Sequence, residues 1–394
     1  MPPLTRVPPK VANFLRGTQH LFRHRHHLIF CWTLVLILVY QDKATLAGLA
    51  RFGPKYICEW HLRRFLYAGY WCWRVLLYRL VDAVIAVLPP PEDGVVYLIG
   101  DGTYKDKTAK KHPLVKKGRL TSYGPYLWGL QIVVLMLHWG PYRIPVDMAV
   151  VRPKGHPPHP SPNALFRQML RRFQPPGWAQ RVIVLADAEF PSKETLKLIQ
   201  ERNFFFVMSL ARTWKFDDGH ALKDLVTHIR KDRFRKTWFI DSQARRRVYW
   251  AFLKTTRLRH LGDVTVVLSK KRRNSGPKNT KILVTNLPDV NCRTLIALYA
   301  RRWNVELLIK ELKGVTGLGQ AQVTKEPRRV ERSVALSLMA YLMLLRFRHT
   351  DIPTQGAWSA FTLKRNFIWE IMQQQIEHAW KLRLKKHLSY SKVA

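Results

Sequence analysis

The stretch YARRWNVELLIKELK at residues 299–313 sets a tyrosine, arginines, lysines and a glutamate among the apolar residues of one helical pattern. With Tyr299 as origin and about 100° per residue, Arg302, Glu306, Lys310 and Lys313 fall within about 60° of it. Val305, Leu308, Ile309 and Leu312 fill the adjoining arc, and Glu311 points away from both. An ion-pair ladder explains Arg302 with Glu306, at about 0.2–0.5 kcal/mol a pair. It does not explain a surplus of cations and a phenol around one acid. Arginine can grip phosphate through two parallel hydrogen bonds and lysine offers a point charge, so the cationic part of the stripe suits a phosphate backbone. Two further acids end apolar, β-rich runs: Asp101 after VVYLIG and Asp187 after VIVLA. Carboxylates at strand ends can converge at one edge of an α/β sheet, where such folds place their sites. Taken singly, Asp101 before Gly102 also reads as a turn residue, and Asp187 as a capping or loop residue.

Acids are scarce in this chain of 394 residues. Lys and Arg number 67 against 26 Asp and Glu, a formal net charge of +41. That surplus calls for a polyanionic partner, DNA or RNA first and an anionic membrane surface second. The longest apolar run, LIFCWTLVLILVY at 28–40, is shorter than the about 20 residues a membrane span needs and reads as a buried core helix. It starts late and no small-residue cleavage site follows, which argues against a signal peptide. Cys31, Cys58, Cys72 and Cys292 form no CxxC pair, so neither a zinc site nor a disulfide framework is indicated and a reduced, cytoplasmic compartment fits. His156 and His159 lie between prolines in a loop and read as solvated rather than metal-binding.

These residues need elements to position them. Residues 1–90 read as a basic arm and short helices broken at Gly53-Pro54 and Gly69, a helical DNA-binding domain. One of its helices reads equally as a helix-turn-helix reader with Arg63 and Arg64 exposed or as a helical cap. PPPEDG at 89–94 marks a boundary. Strands follow at 95–101, 126–139 and 142–151, then a helix near 163–174, a strand at 181–187, a helix after Ser192 and a strand at 203–210. That order predicts an α/β core with a mixed sheet across 91–210. Strand-like segments at 236–241, 246–254, 263–270 and 280–286 make 211–290 a β-rich insertion, and helices at 291–313, 329–348 and 357–384 complete the core over 291–350 and form a basic tail over 351–394. The run KDKTAKKHPLVKKGR at 105–119, with Lys107, Lys110 and Lys111, has no interleaved aromatics and reads as a loop contacting the DNA backbone.

The spacing Tyr299, Arg302, Glu306, Lys313 resembles the Y-x2-R-x3-E-x6-K signature of bacterial insertion-sequence transposases of the DDE class, IS-four type, and Trp303 beside Arg302 resembles their YxxRWxxE wording. IGDGTYKDK around Asp101 and VLADAEFPS around Asp187 resemble the blocks holding the two catalytic aspartates, and the match runs over about 95–345. The resemblance implies an RNase H-like fold and a DNA transposase that cleaves and transfers strands at the ends of an insertion sequence. It implies Asp101, Asp187 and Glu306 as ligands of two Mg2+ or Mn2+ ions, with Glu189 as the alternative second acid. Tyr299, Arg302, Trp303, Lys310 and Lys313 are implied as DNA contacts. Trp238 and Trp250 in the insertion are candidates to stack a flipped base, with a core role the favoured reading. The implied partners are terminal inverted repeats and target DNA, bound by a homodimer at the bacterial nucleoid and without a membrane. A domesticated or inactive transposase-derived DNA-binding protein is the alternative.

Overall fold

The computed structural model of the chain describes residues 4, 6–40, 45–107, 112–119, 124–153, 159–241, 244–320, 326–351 and 359–390. In chain order the helices α1 (Pro9–Leu15), α2 (His24–Val39), α3 (Leu46–Phe52), α4 (Glu59–Ala68) and α5 (Trp73–Ile85) lead into strands β1 (Val95–Asp106), β2 (Lys116–Arg119), β3 (Tyr126–Trp139) and β4 (Tyr142–Val150). Then come α6 (Pro162–Arg172), β5 (Arg181–Ala186), α7 (Lys193–Glu201), β6 (Phe205–Ser209), α8 (Leu222–His228), β7 (Arg235–Ile240), β8 (Arg246–Leu258), β9 (Gly262–Lys270) and β10 (Lys281–Thr285). Helices α9 (Cys292–Ala300), α10 (Trp303–Val315), α11 (Pro327–Asp351) and α12 (Ala360–Tyr390) close the order. Two compact units result. The first comprises Met1–Pro89, Tyr104–Leu130 and Ile309–Ala394; the second comprises Pro90–Thr103 and Gln131–Leu308.

In the first unit, α2 is the apolar run read as a core helix. Phe30, Trp32, Leu34, Val35, Leu36 and Leu38 are all fully buried, the pattern of a helix apolar on every side and enclosed by protein. Helix α11 packs on α2, α4, α5 and α12. No helix among the described residues is long and apolar enough to cross a membrane. Glu311, off the apolar arc of its helix, is nevertheless buried, because the Tyr341 hydroxyl on α11 donates to its carboxylate at 2.7 Å. The basic run after Asp101 is not wholly a loop: Lys105 and Asp106 extend β1, and β2 pairs antiparallel with the start of β3 from Lys116↔Gly129 to Arg119↔Tyr126. Lys110, Lys111 and His156 lie outside the described residues.

The second unit carries the core of the α/β fold, a mixed sheet ordered β3-β1-β5-β6-β10-β9-β8-β7 with β4 on β3. The two central pairs, β1–β5 and β5–β6, are parallel. Their paired stretches, 95–99, 182–186 and 205–208, are apolar throughout, as parallel strands covered on both faces must be. Strand β10 runs antiparallel to both β6 and β9, so the inserted strands continue the same sheet. The Asn286 side chain fixes that joint by accepting from the Phe206 amide at 2.8 Å, and Thr285 donates to the Phe206 carbonyl at 2.6 Å. Helix α6 is capped by Ser161 and α7 by Ser192, each side chain accepting from the amide three residues on.

Three local expectations are corrected. Asp101 does not end its strand: β1 runs on to Asp106, since alternation continues through Thr103 and Tyr104, which are buried. Glu189 is in a turn rather than a strand, because β5 stops at Ala186 and the Asp187 carboxylate accepts from the Glu189 amide at 2.9 Å. The helix expected over 291–313 is interrupted at Arg301 and Arg302. The amides of Arg301, Arg302, Asn304 and Val305 each bond three residues back rather than four, and the Asn304 side chain donates to the Arg301 carbonyl at 2.9 Å, competing with the helical ladder.

Candidate active site

The sheet itself brings the two aspartates together. The β1–β5 ladder pairs Val95 with Arg181 and Ile99 with Leu185, a constant offset of 86 residues (181 − 95 = 185 − 99). Asp101 and Asp187 have the same separation, 187 − 101 = 86. Continued two residues past its last pair, the register would set them opposite one another, and the charge of Asp187 acts on Asp101. An aromatic floor lies under them. Phe166 of α6 and Phe190 of the turn after Asp187 are fully buried, with ring centres 5.0 Å apart. Gly100, one residue before Asp101, lets α6 approach, since a β-carbon there would run into the Phe166 ring.

Glu306 reaches this point from the first turn of α10, where a helix N-terminus favours negative charge. The link is Arg302. Its guanidinium donates to Glu306 Oε1 at 2.6 Å and to Asp101 Oδ2 at 3.4 Å. The side chains of Arg302 and Asp101 are only 14% and 15% exposed, that of Glu306 33%. Breaking the helix at 301–302 is what frees Arg302 to face both acids. The wheel drawn from Tyr299 therefore assumed a continuous helix where the chain is interrupted.

Charge at the site is finely opposed. Burial pushes Asp101 up to about 7; the charges of Asp187 and Glu306 push the same way, while Arg302 and the Gly102 amide pull down. Arg302 is raised: burial opposes its charge, but Tyr299, Glu306 and Asp101 together outweigh that. Burial also raises the Tyr299 phenol, with Asp187 adding to it and Arg302 and Ser209 opposing. Tyr299 is 8% exposed and stands against the site as a wall.

Lys281, at the start of β10, was not anticipated. Its ammonium sits 4.7 Å from the centre of the Tyr299 ring. Desolvation and Arg302 lower its pKa against the pull of Asp187 and Glu306. In sequence it is one lysine opening an apolar run; only the pairing of β10 with β6, about seventy residues apart, reveals it.

The other expected residues distribute differently. Trp303, first residue of α10, is 57% exposed. Lys107, Lys310 and Lys313 belong to the first unit, where Lys107 donates to the Gly319 carbonyl at 2.6 Å and Lys313 to the Tyr104 carbonyl at 3.0 Å. Lys310 is exposed. The core role favoured for Trp238 and Trp250 does not hold. Both are half-buried, with Arg246 and Arg293 over the Trp238 ring at 4.6 and 4.1 Å and Arg273 over Trp250 at 5.2 Å. Helix α9 packs on β7 and β8 and supplies Arg293 over the Trp238 ring.

Whether this donor set suits a divalent ion can be judged from its chemistry. Three carboxylates are hard oxygen donors, and a cation already lies between two of them as the Arg302 guanidinium. Among the described residues no three acids, histidines or cysteines are spaced to share one ion.

The family model described as a transposase DDE domain matches residues 143–343, a span that includes Asp187 and Glu306. No curated protein sequence matches the chain. Among solved structures, the chain is similar to that in the cryo-EM structure of the piggyBac transposase synaptic complex with hairpin DNA, at a TM-score of 0.49 and 10% identity over 97% of this chain and 81% of that one. The matched span is 343 − 143 + 1 = 201 of 394 residues, more than half of the chain, and on that ground the protein belongs to the DDE transposase domain family.

Proposed function

We propose that this transposase cuts and rejoins DNA at the ends of an insertion sequence, with Asp101, Asp187 and Glu306 as the ligands of two Mg2+ or Mn2+ ions. The observation that carries the reading is the shared offset of 86 residues, which aligns the two aspartates, together with the Arg302 bridge from Asp101 to Glu306. Bound there, the ions would polarise the phosphodiester and supply a nucleophile near neutral pH. The protein's own groups do the rest. The Phe166–Phe190 floor and Tyr299 exclude water from one side. Arg302 balances the acids before DNA arrives and, once released, can grip a phosphate with two hydrogen bonds. Lys281 adds a cation at the same edge.

The Y-R-E-K stretch serves as the IS-four-type signature in this reading. Trp303, Lys310 and Lys313, with the lysines after Asp101 (Lys107, Lys110 and Lys111), contact the DNA backbone. The helices of residues 1–90 and the tail at 351–394 hold the duplex. Two copies act together, because two transposon ends must be joined to one target, and the bacterial nucleoid is the place of action.

The test is cleavage of DNA carrying the terminal inverted repeats by purified protein, with and without Mg2+. Glu306→Ala should abolish strand cleavage and leave end binding within a few-fold of wild type. Cleavage retained in that variant removes Glu306 from the site. End binding without Mg2+-dependent cleavage in the wild type would instead identify a DNA-binding protein that has lost the reaction.

A further inference from the structure

Of the large aromatic rings that the first unit exposes, three lie on α4 or just after it. Trp60 and Tyr67 on α4 are 56% and 59% exposed, and Tyr70, in the connection to α5, is 83% exposed. Each lies under a guanidinium: Arg64 over Trp60 at 5.0 Å, Arg329 over Tyr67 at 3.7 Å and Arg23 over Tyr70 at 5.8 Å. On α4 the spacing is systematic. Trp60, Arg63, Arg64 and Tyr67 follow the i, i+3, i+4, i+7 pattern of one helix face, while Leu62, Phe65 and Leu66 on the other side are buried. The face leads into a groove of about 680 Å³ whose lining includes Tyr67, Tyr70, Trp71, Cys72, Arg328 and Arg332.

The groove is held open by its own scaffold. Arg332 of α11 donates to the carbonyls of Leu66, Gly69 and Trp71 at 2.7, 2.7 and 2.8 Å, the first of them in the last turn of α4, whose carbonyls lack helical partners. Its guanidinium lies 4.5 Å from the centre of the Trp71 ring, and Phe65 stacks on Trp71 at 4.8 Å and 10°. Arg332 and Trp71 are thereby committed to structure, while Tyr67, Tyr70 and Arg328 remain exposed at the groove.

We propose that this groove and the adjoining face of α4 bind single-stranded DNA, stacking unpaired bases on Tyr67, Tyr70 and Trp60 and meeting phosphates with Arg64 and Arg328, Arg63 being paired with Glu59. The size falls in the range of about 300–1,000 Å³ that encloses compact ligands, enough for one splayed nucleotide. Trp60 and Tyr67 are seven residues apart, about 10 Å along a helix, the length of about three stacked nucleotides of one strand. Duplex DNA covers the faces of its bases and offers chiefly phosphates, for which cations suffice; exposed rings are useful where a base face is free. A second copy of the chain fits poorly, because apposing this face on itself sets Arg23, Arg63, Arg64, Arg328 and Arg329 against one another.

The experiment uses the full chain in EDTA, so that the carboxylate site takes no part, and labelled oligo-dT against a hairpin duplex of equal charge, read by fluorescence anisotropy. Tyr70→Ala and Tyr67→Ala, at rings that are largely solvent-exposed, should each weaken single-strand binding from about fivefold to about a hundredfold. Duplex binding should stay within about twofold, and the Phe variants should bind like wild type. Arg328→Ala should reduce the salt dependence on the single strand by about one phosphate contact. Equal losses on both DNAs, or no loss on the single strand, overturns the proposal. So does a change of oligomeric state in light scattering with DNA binding intact, which would make the face a protein interface. None of these results bears on the carboxylates.

Discussion

Asp101→Asn, in metal-free buffer, should stabilise the protein, and by an amount that grows with pH. Asp101 is buried beside two acids, and its pKa rises from 3.8 to about 7. Between those values the folded state keeps the proton that the unfolded state has lost, so the unfolded state binds fewer protons and stability falls as pH rises. The slope is about 1.4 kcal/mol per pH unit, and the full shift amounts to roughly 4 kcal/mol, complete above about pH 7. Asparagine keeps an acceptor for the Gly102 amide and for Arg302 but cannot ionise. Urea unfolding of both proteins in EDTA from pH 5 to 8.5 should show a gap that widens by about 2–3 kcal/mol up to pH 7 and is then constant. Other titrations are common to the two proteins and cancel in the difference. Mg2+ added at pH 8 should stabilise the wild type, by about 2.7 kcal/mol at a hundred times its dissociation constant, and the variant less. A gap independent of pH, or one that narrows towards pH 7, refutes the placement of Asp101 in a buried, acid-crowded site.

Arg302→Gln removes the cation between Asp101 and Glu306 and should cost about 3–5 kcal/mol in EDTA at pH 8, as for a buried pair that loses one partner. Asp101→Asn in the same chain should recover part of that loss, and strict additivity in the double-mutant cycle by urea unfolding would contradict a shared network. Gly100→Ala must displace the Phe166 ring beneath the aspartates and should cost about 1–3 kcal/mol; an unchanged thermal midpoint would mean that α6 does not rest on Gly100.

The order of strands and helices from 95 to 315 was legible because each strand is an apolar run closed by turn residues, and parallel strands buried on both faces read as unbroken runs. The three acids proposed for the site were singled out for a different reason: against 67 Lys and Arg the chain has only 26 Asp and Glu, so carboxylates are conspicuous. What failed was local. The continuation of β1 past Asp101 was hidden because Lys105 and Asp106 are polar, so the strand's outer end has the composition of a loop. The interruption at Arg301 and Arg302 left no trace in the apolar spacing on either side, since one tightened turn shifts the phase by less than the width of the stripe. Lys281 was invisible because its neighbours come from β6, α9 and α10, and a sequence read element by element does not place β10 beside them.

The equality of the register offset and the aspartate separation ties fold to chemistry more tightly than the presence of acids does. Every residue inserted between β1 and β5 lengthens the separation of Asp101 and Asp187 without moving either, provided it lies in the loops; one residue added within either strand before its aspartate flips that side chain to the other face of the sheet. The aspartates are therefore placed by the ladder from Val95↔Arg181 to Ile99↔Leu185 and not by the 85 residues between them. Glu306 has no such ladder. It stands three residues after Trp303, the first residue of a helix that begins at a tightened turn, and its approach to Asp101 is made by Arg302. Asp101 stands within a strand and Asp187 one residue past one, whereas Glu306 stands on a helix and meets Asp101 through Arg302. A shift of α10 would then alter its distance to the aspartates while leaving their own spacing intact.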